Sequence, residues 1–208
     1  MARRSKSSRQ WLDEHFSDPF VHRAKAEGWR SRAVFKLEHI DRKEKLLKPG
    51  QIVLDLGASP GAWSQYARRR VGRNGRVVAS DILPLEPLAG VEFVLGDFRE
   101  QAVFEALLAI LPPAGVDLVL SDMAPNLSGV DAIDQPRSMY LAELAIEMCT
   151  RVLKPQGSAL IKVFQGSGFQ ELMANARSKF AKTVIHKPPA SRARSPELYL
   201  LAKHFLMV

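Results

Sequence analysis

The sequence predicts an α/β fold built on a seven-stranded, mostly parallel sheet with one antiparallel strand and helices on both faces. Three observations carry that expectation. From about residue 50 onward, short apolar runs alternate with segments of helical length and period. The first run opens directly into a glycine-rich turn and then a helix. The last two runs have only a polar loop between them, so the final strand can return antiparallel to its neighbours.

The elements follow in order. Residues 1–9 are basic, polar and without apolar periodicity, and residues 1–30 read as a basic N-terminal arm before a single domain over 31–208. From Ser31 a helical stripe of Ala33, Leu37 and Ile40 also takes in Lys36, and it closes near Lys48-Pro49-Gly50. A strand over 52–56 turns through Gly57-Ala-Ser-Pro-Gly61 into a helix over 62–70. Strands over 77–79 and 92–95 lead to Asp81 and Asp97. A helix over 101–111 precedes a fourth strand at 116–120, which runs into Ser121-Asp-Met-Ala-Pro-Asn126. Asp134-Gln-Pro136 is expected to cap a long helix reaching Leu153, with Lys154-Pro-Gln-Gly157 as its stop. A fifth strand over 159–164, a helix over 168–180 and strands over 183–186 and 198–205 complete the pattern.

Composition excludes several classes. Apolar residues make up 46% of the 208, enough for a sizeable core. The longest apolar runs fall far short of the roughly 20 residues that span a bilayer, so no membrane segment is expected. Cys149 is the single cysteine, which rules out an internal disulfide and fits a reducing compartment. Five scattered histidines give no paired metal-ligand spacing, so no metal site is expected. The net charge of +8 is uneven: residues 1–50 and 175–208 each carry +6, and the stretch between them carries −4. Basic ends around an acidic centre are the electrostatic footprint of a nucleic-acid binder.

The first turn speaks to a ligand. A pyrophosphate-binding turn needs G-x-G-x-x-G, whereas here Gly57 and Gly61 flank Pro60 and position 63 is Trp. Asp81 lies 24 positions after Gly57, a separation suited to gripping ribose hydroxyls. With Asp55 and Asp97, carboxylates end the first three strands, and all three are expected to face the crevice. Such a site suits a ligand with hydroxyls, an amino group and a positive centre, a description that S-adenosylmethionine meets.

Four further residues stand out as anomalies. Lys162 interrupts the apolar run over 159–164, although lysine is almost never buried unpaired. Lys36 sits in an apolar helical stripe. Asp122 follows the fourth strand, and Glu197 opens the last; an antiparallel last strand brings Glu197 beside Lys162. Taken singly, each reads as a snorkelling lysine or a solvated carboxylate. Together they form an acid-base set in which one ammonium is expected to depress the other lysine, leaving a neutral amine as base.

These motifs resemble a known family. Ser31-Arg-Ala-Val-Phe-Lys36-Leu, Asp55-Leu-Gly-Ala-Ser-Pro-Gly-Ala-Trp63-Ser-Gln, Ser121-Asp-Met-Ala-Pro-Asn126-Leu-Ser-Gly129, Lys162-Val-Phe-Gln-Gly166 and Ser191-Arg-Ala-Arg-Ser-Pro-Glu197 together look like the FtsJ-type ribosomal RNA ribose 2′-O-methyltransferases. The resemblance runs from about Gly28 to Ala202, with Ser59 and Ala62 standing where the family usually has Ala and Gly. It implies a Rossmann-like class I methyltransferase that uses S-adenosyl-L-methionine and no metal. It further implies Lys162, Lys36, Asp122 and Glu197 as the catalytic residues, with Lys162 as proton acceptor. Gly61, Trp63, Asp81, Asp97 and Asp122 are implied to bind the donor. The implied substrate is a uridine in the A-loop of 23S rRNA within the large ribosomal subunit, modified by a monomer in the cytoplasm.

Rival readings differ at identifiable residues. A nicotinamide oxidoreductase would want glycine where Trp63 stands. An adenine N-methyltransferase would want an aromatic after the Asp-Pro-Pro-like motif, which Asp122-Met-Ala-Pro-Asn126 lacks. Methylation of tRNA or of an mRNA cap uses the same four residues, and a noncatalytic rRNA-binding assembly factor would keep the fold without needing them.

Overall fold

The computed structural model describes residues 18–126, 128–192 and 194–206. In chain order its elements are α1 (Pro19–Ala26), α2 (Val34–Glu44), β1 (Ile52–Leu56), α3 (Ala62–Val71), β2 (Arg76–Asp81), β3 (Val91–Leu95) and α4 (Gln101–Ile110). They continue with β4 (Val116–Ser121), α5 (Asp131–Val152), β5 (Leu153–Phe164), α6 (Phe169–Lys179), β6 (Phe180–His186) and β7 (Glu197–Phe205). The sheet order is β3-β2-β1-β4-β5-β7-β6. Strands β1 to β5 pair in parallel, and β7 runs antiparallel to both of its neighbours, β5 and β6. Strand order reverses between β1 and β4, which opens a ligand crevice at their carboxyl ends.

The pleat divides the core into two faces. Val53, Leu118, Leu120, Leu160, Tyr199 and Leu201 pack against α1, α2 and α3. Leu54, Leu56, Val119, Ile161, Val163 and Leu200 pack against α4, α5 and α6. With both faces covered, the central strands are buried along their length, which is why they read as continuous apolar runs. Period two then places Lys162 with Leu160, and Glu197 with Tyr199, on the α1–α3 face.

Three local expectations change. The proposed arm is structured from Asp18 onward. Its carboxylate accepts the Phe20 amide at 2.9 Å, Pro19 opens α1, and Phe20, Ala24 and Trp29 pack on the core. Charged neighbours had hidden that sparse apolar stripe; residues 1–17, which include Arg3, Arg4, Lys6 and Arg9, lie outside the described residues.

Helix α5 begins at Asp131, so Pro136 lies inside it and Asp134 is not its cap. Asp134 instead accepts from the amides of Ser128 and Gly129 and from the Ser128 hydroxyl, each at 2.9 Å, and so pins the preceding loop. Strand β5 starts at Leu153, ahead of the expected stop. The 154–157 segment is a bulge, since the register jumps from Val116 opposite Leu153 to Leu118 opposite Ser158, with Gln156 at φ 66°. No helix among the described residues is long and apolar enough to cross a membrane.

Candidate active site

Four charged side chains meet where β4, β5, β7 and α2 converge. The Lys162 ammonium lies 2.7 Å from Asp122 Oδ1 and 3.7 Å from Glu197 Oε2, and it also donates to the Asp122 carbonyl at 3.0 Å. Lys36, one turn into α2, contacts both Glu197 oxygens at 2.8 and 2.9 Å. Phe164 opposite Glu197 and Lys162 opposite Tyr199 in the β5–β7 register set this meeting. The sequence therefore brings together all four residues expected at the catalytic position. Two more join them: the Tyr199 hydroxyl donates to Asp122 Oδ1 at 2.7 Å, and the Ser191 hydroxyl donates to Glu197 Oε1 at 2.8 Å.

Charge balance decides the protonation states. Burial alone would push Asp122 and Glu197 up, but the lysine ammoniums reverse this and hold both carboxyls below their usual range. Burial would likewise push Lys162 down, yet the Asp122 and Glu197 carboxylates outweigh it and hold the ammonium above its ordinary value. Lys36 therefore does not leave a neutral Lys162 in the resting site. Glu197 takes up the Lys36 charge, so a second cation alone is no guide to the base. Burial and the two carboxylates raise Tyr199 well above its ordinary value, which keeps its hydroxyl a donor.

A cavity of about 450 Å³ opens beside this cluster at the carboxyl ends of β1, β2, β3 and β4. Gly57, Ser59, Asp81, Asp97 and Asp122 line it, together with Ile82, Leu83 and Met123. Ile82 and Leu83, 67% and 58% exposed, give the cavity an apolar lip. Asp81 is aimed by two amides, accepting from Ser59 N at 2.7 Å and Leu83 N at 2.8 Å. Asp97 is gripped by Arg99, whose guanidinium and amide both donate to it and hold the carboxyl below the usual range. Arg99 and Arg137 line the same cavity, and Asp97 and Asp122 are already paired with Arg99 and Lys162, whereas Asp81 is held by backbone amides. An apolar-lipped cavity that presents such a carboxylate fits a ligand with ribose hydroxyls, as an adenosyl group has.

Other sequence-predicted residues stand elsewhere. Trp63 is buried behind the cluster, donating Nε1 to the Ala33 carbonyl at 2.8 Å with its ring 5.7 Å from that of Tyr199. Gly61 caps α3 at φ 104°, and a Cβ there would meet Arg30 Nη1 at 2.9 Å and Leu85 Cδ1 at 3.0 Å. A Cβ on Gly57 would strike Met123 at 2.6 Å. Protein side chains thus already occupy the space these two glycines leave. Asp55 does not face the crevice. It is fully buried on the α1–α3 face, accepts the Ser64 hydroxyl at 2.5 Å on Oδ2, and has no partner on Oδ1. Burial pushes its carboxyl up to about 7.

Comparison with known proteins turns on a match that spans residues 29–205, to the family of FtsJ-like methyltransferases. The chain belongs to that family. This FtsJ-like methyltransferase is 58% identical over 202 residues to the ribosomal RNA large subunit methyltransferase E of Legionella pneumophila (strain Lens), covering 97% of this chain and 98% of the relative. It is also 58% identical over 203 residues to the protein of the same name from Stenotrophomonas maltophilia (strain K279a), with 98% and 97% covered. Among solved structures it is similar to a protein described as a ribosomal RNA methyltransferase from Plasmodium falciparum. The TM-score is 0.76 at 30% identity, covering 86% of this chain and 99% of that one. Fibrillarin from Aeropyrum pernix, solved with S-adenosyl-L-methionine, shares the fold alone, at TM-score 0.59 and 15% identity over 81% of this chain and 75% of that one.

Within the FtsJ-like chain, sequence reasoning missed Tyr199, Ser191 and Arg99. Tyr199 had a signal: it is two positions after Glu197 on a strand, hence on the same face. Ser191 and Arg99 approach through loop geometry that no periodicity encodes. A smaller cavity of about 210 Å³ lies on the other side of the cluster, lined by Ser31, Arg32, Lys36, Arg192, Ser195 and Glu197.

Proposed function

We propose that this methyltransferase transfers a methyl group from S-adenosyl-L-methionine to the ribose 2′-oxygen of a uridine in the A-loop of 23S rRNA, acting as a cytoplasmic monomer on the large ribosomal subunit. The observation that carries the reading is the buried Lys162, bridged to Asp122 and Glu197 beside Lys36, with the acidic cavity on one side and the Arg32–Arg192 cavity on the other. A base between a donor cavity and a cationic RNA-side cavity is what alkylation of a hydroxyl requires. The names of relatives at 58% identity over nearly the full chain support large-subunit rRNA over tRNA or an mRNA cap.

In this reading Asp81, Asp97 and Asp122 hold the donor, Gly61 and Trp63 shape the turn and helix that back it, and no metal takes part. Bound S-adenosyl-L-methionine supplies an electrophilic methyl on a positive sulfur. The protein's own part is orientation and proton removal. Asp122 and Glu197 orient the Lys162 amine, Tyr199 fixes Asp122, and Lys36 and Ser191 fix Glu197. Lys162 first gives up its proton to solvent, and the neutral amine then accepts the 2′-hydroxyl proton as that oxygen takes the methyl, the carbon–sulfur bond breaking to leave neutral S-adenosylhomocysteine. The test is transfer of labelled methyl to large subunits from cells lacking the enzyme, followed by mapping of the modified nucleotide. One labelled A-loop uridine is the expected result; label elsewhere, or none, contradicts the reading.

A further inference from the structure

Arg30 belongs by sequence to the basic N-terminal stretch, where a phosphate contact is the natural assignment. Its guanidinium is otherwise engaged. Nη1 donates to the Pro60 carbonyl at 3.1 Å and to the Glu86 carbonyl at 2.6 Å, while Nη2 donates to the Pro87 carbonyl at 2.9 Å. Its own amide donates to Gln65 Oε1 at 3.1 Å, and Gln65 Nε2 returns to the Gly28 carbonyl at 2.9 Å, which fastens this segment to α3.

The carbonyls belong to two separate pieces of the acidic cavity. Pro60 follows Ser59, which lines the cavity and donates its amide to Asp81. Glu86 and Pro87 lie on the segment between β2 and β3, which has no regular structure from Ile82 to Gly90 and presents Ile82 and Leu83 to the cavity. Between the two pieces the Ser59 hydroxyl adds a bond to the Pro84 carbonyl at 3.2 Å. Gly61 makes room for the guanidinium, since a Cβ there would meet Arg30 at 2.9 Å.

We infer that Arg30 is a positioning residue of the methyl-donor cavity: it stitches the Ser59–Gly61 turn to the 82–90 segment from behind and so fixes the two walls that hold Asp81. A planar fork with several N–H donors can serve three carbonyls at once, which an ammonium cannot reproduce in the same geometry. The inference rests on the donor reading above, and it assigns this arginine to donor affinity where its charge alone suggested RNA.

Full-length wild type, Arg30→Lys and Arg30→Gln are compared by calorimetry with S-adenosylmethionine, by salt-dependent binding to large subunits, and by kinetics under saturating donor. Loss of one or two of the three bonds predicts a donor Kd and KM raised by about tenfold in both variants. The kcat at saturating donor, the RNA Kd and its salt slope stay within about twofold of wild type, and urea denaturation shows both variants folded. Unchanged donor affinity with weakened RNA binding would overturn the inference and make Arg30 a phosphate contact. Parallel loss of both affinities together with lowered stability would overturn it as well. If wild type itself binds no S-adenosylmethionine, the donor reading fails first, and this inference with it.

Discussion

Lys162 and Asp122 lie 40 residues apart in the chain, yet the lysine meets both the carboxylate and the backbone carbonyl of the aspartate, at 2.7 and 3.0 Å. Parallel pairing of β4 with β5 produces this, with Ser121 opposite Ile161 and hence Asp122 just past the strand end beside Lys162. The contact sets both the protonation of the lysine and the cost of removing it. Lys162→Ala takes the ammonium away from the buried Glu197 and the partly buried Asp122, which keep Lys36, Ser191 and Tyr199 as partners. The loss of stability should therefore be below the roughly 3 to 5 kcal/mol of a fully buried pair left unpaired. Urea denaturation at pH 7 checks this, and Lys162→Ala as stable as wild type would mean the pair is not buried in solution.

The pH dependence follows from the same cluster. Lys162 is held above its ordinary value by two carboxylates, so single-turnover transfer should rise with pH until the amine is neutral. Glu197→Gln removes one of those carboxylates and should move the rise to lower pH. Lys36→Met frees Glu197 to act on Lys162 alone and should move it to higher pH. Shifts in the same direction for both variants would contradict the assignment.

Asp55 gives a separate stability signature. Its carboxyl is pushed up to about 7 by burial, against 3.8 for an ordinary aspartate. The folded state therefore holds its proton more tightly than the unfolded state. The resulting stability is full below pH about 4 and is lost as pH rises through about 7. Wild type should lose stability between pH 5 and pH 8 relative to Asp55→Asn, measured by urea midpoints. Parallel pH profiles for the two proteins would show that Asp55 is ionised when folded.

Donor affinity should depend on Asp81 in two ways, through the ligand and through the Ser59 and Leu83 amides it accepts. Asp81→Ala should cost about 1 to 3 kcal/mol in S-adenosylmethionine binding, the usual size for a charge-assisted hydrogen bond. Calorimetry measures it, and an unchanged Kd would place Asp81 outside the donor site.

The N-terminal basic residues are proposed to contact phosphates. Neutralising Arg3, Arg4, Lys6 and Arg9 together should weaken RNA binding and flatten its dependence on salt, because fewer counterions are released. An unaltered slope removes these residues from the interface.

The sequence disclosed the parts of this molecule that violate a local rule. Lys36 and Lys162 were visible because a lysine in an apolar stripe needs a partner, and Glu197 because an antiparallel last strand starts at the edge where the parallel strands end. Asp55 was misplaced although the pleat settles it: Val53 and Asp55 share a face, and Val53 packs under α1–α3. The start of β5 was hidden by turn residues that form a bulge instead of a break. Arg30 and Arg99 could not be read at all, since their partners are carbonyls and carboxylates fixed by loop conformation and not by periodicity.

The central claim is that neutral Lys162 accepts the 2′-hydroxyl proton, and single-turnover methyl transfer on saturating large subunits tests it most directly. Lys162→Met and Lys162→Arg should keep donor and RNA affinity near wild type while losing the transfer step, since one has no amine and the other stays charged. Near-normal transfer by either variant would contradict the claim and leave positioning by the remaining residues as the source of catalysis.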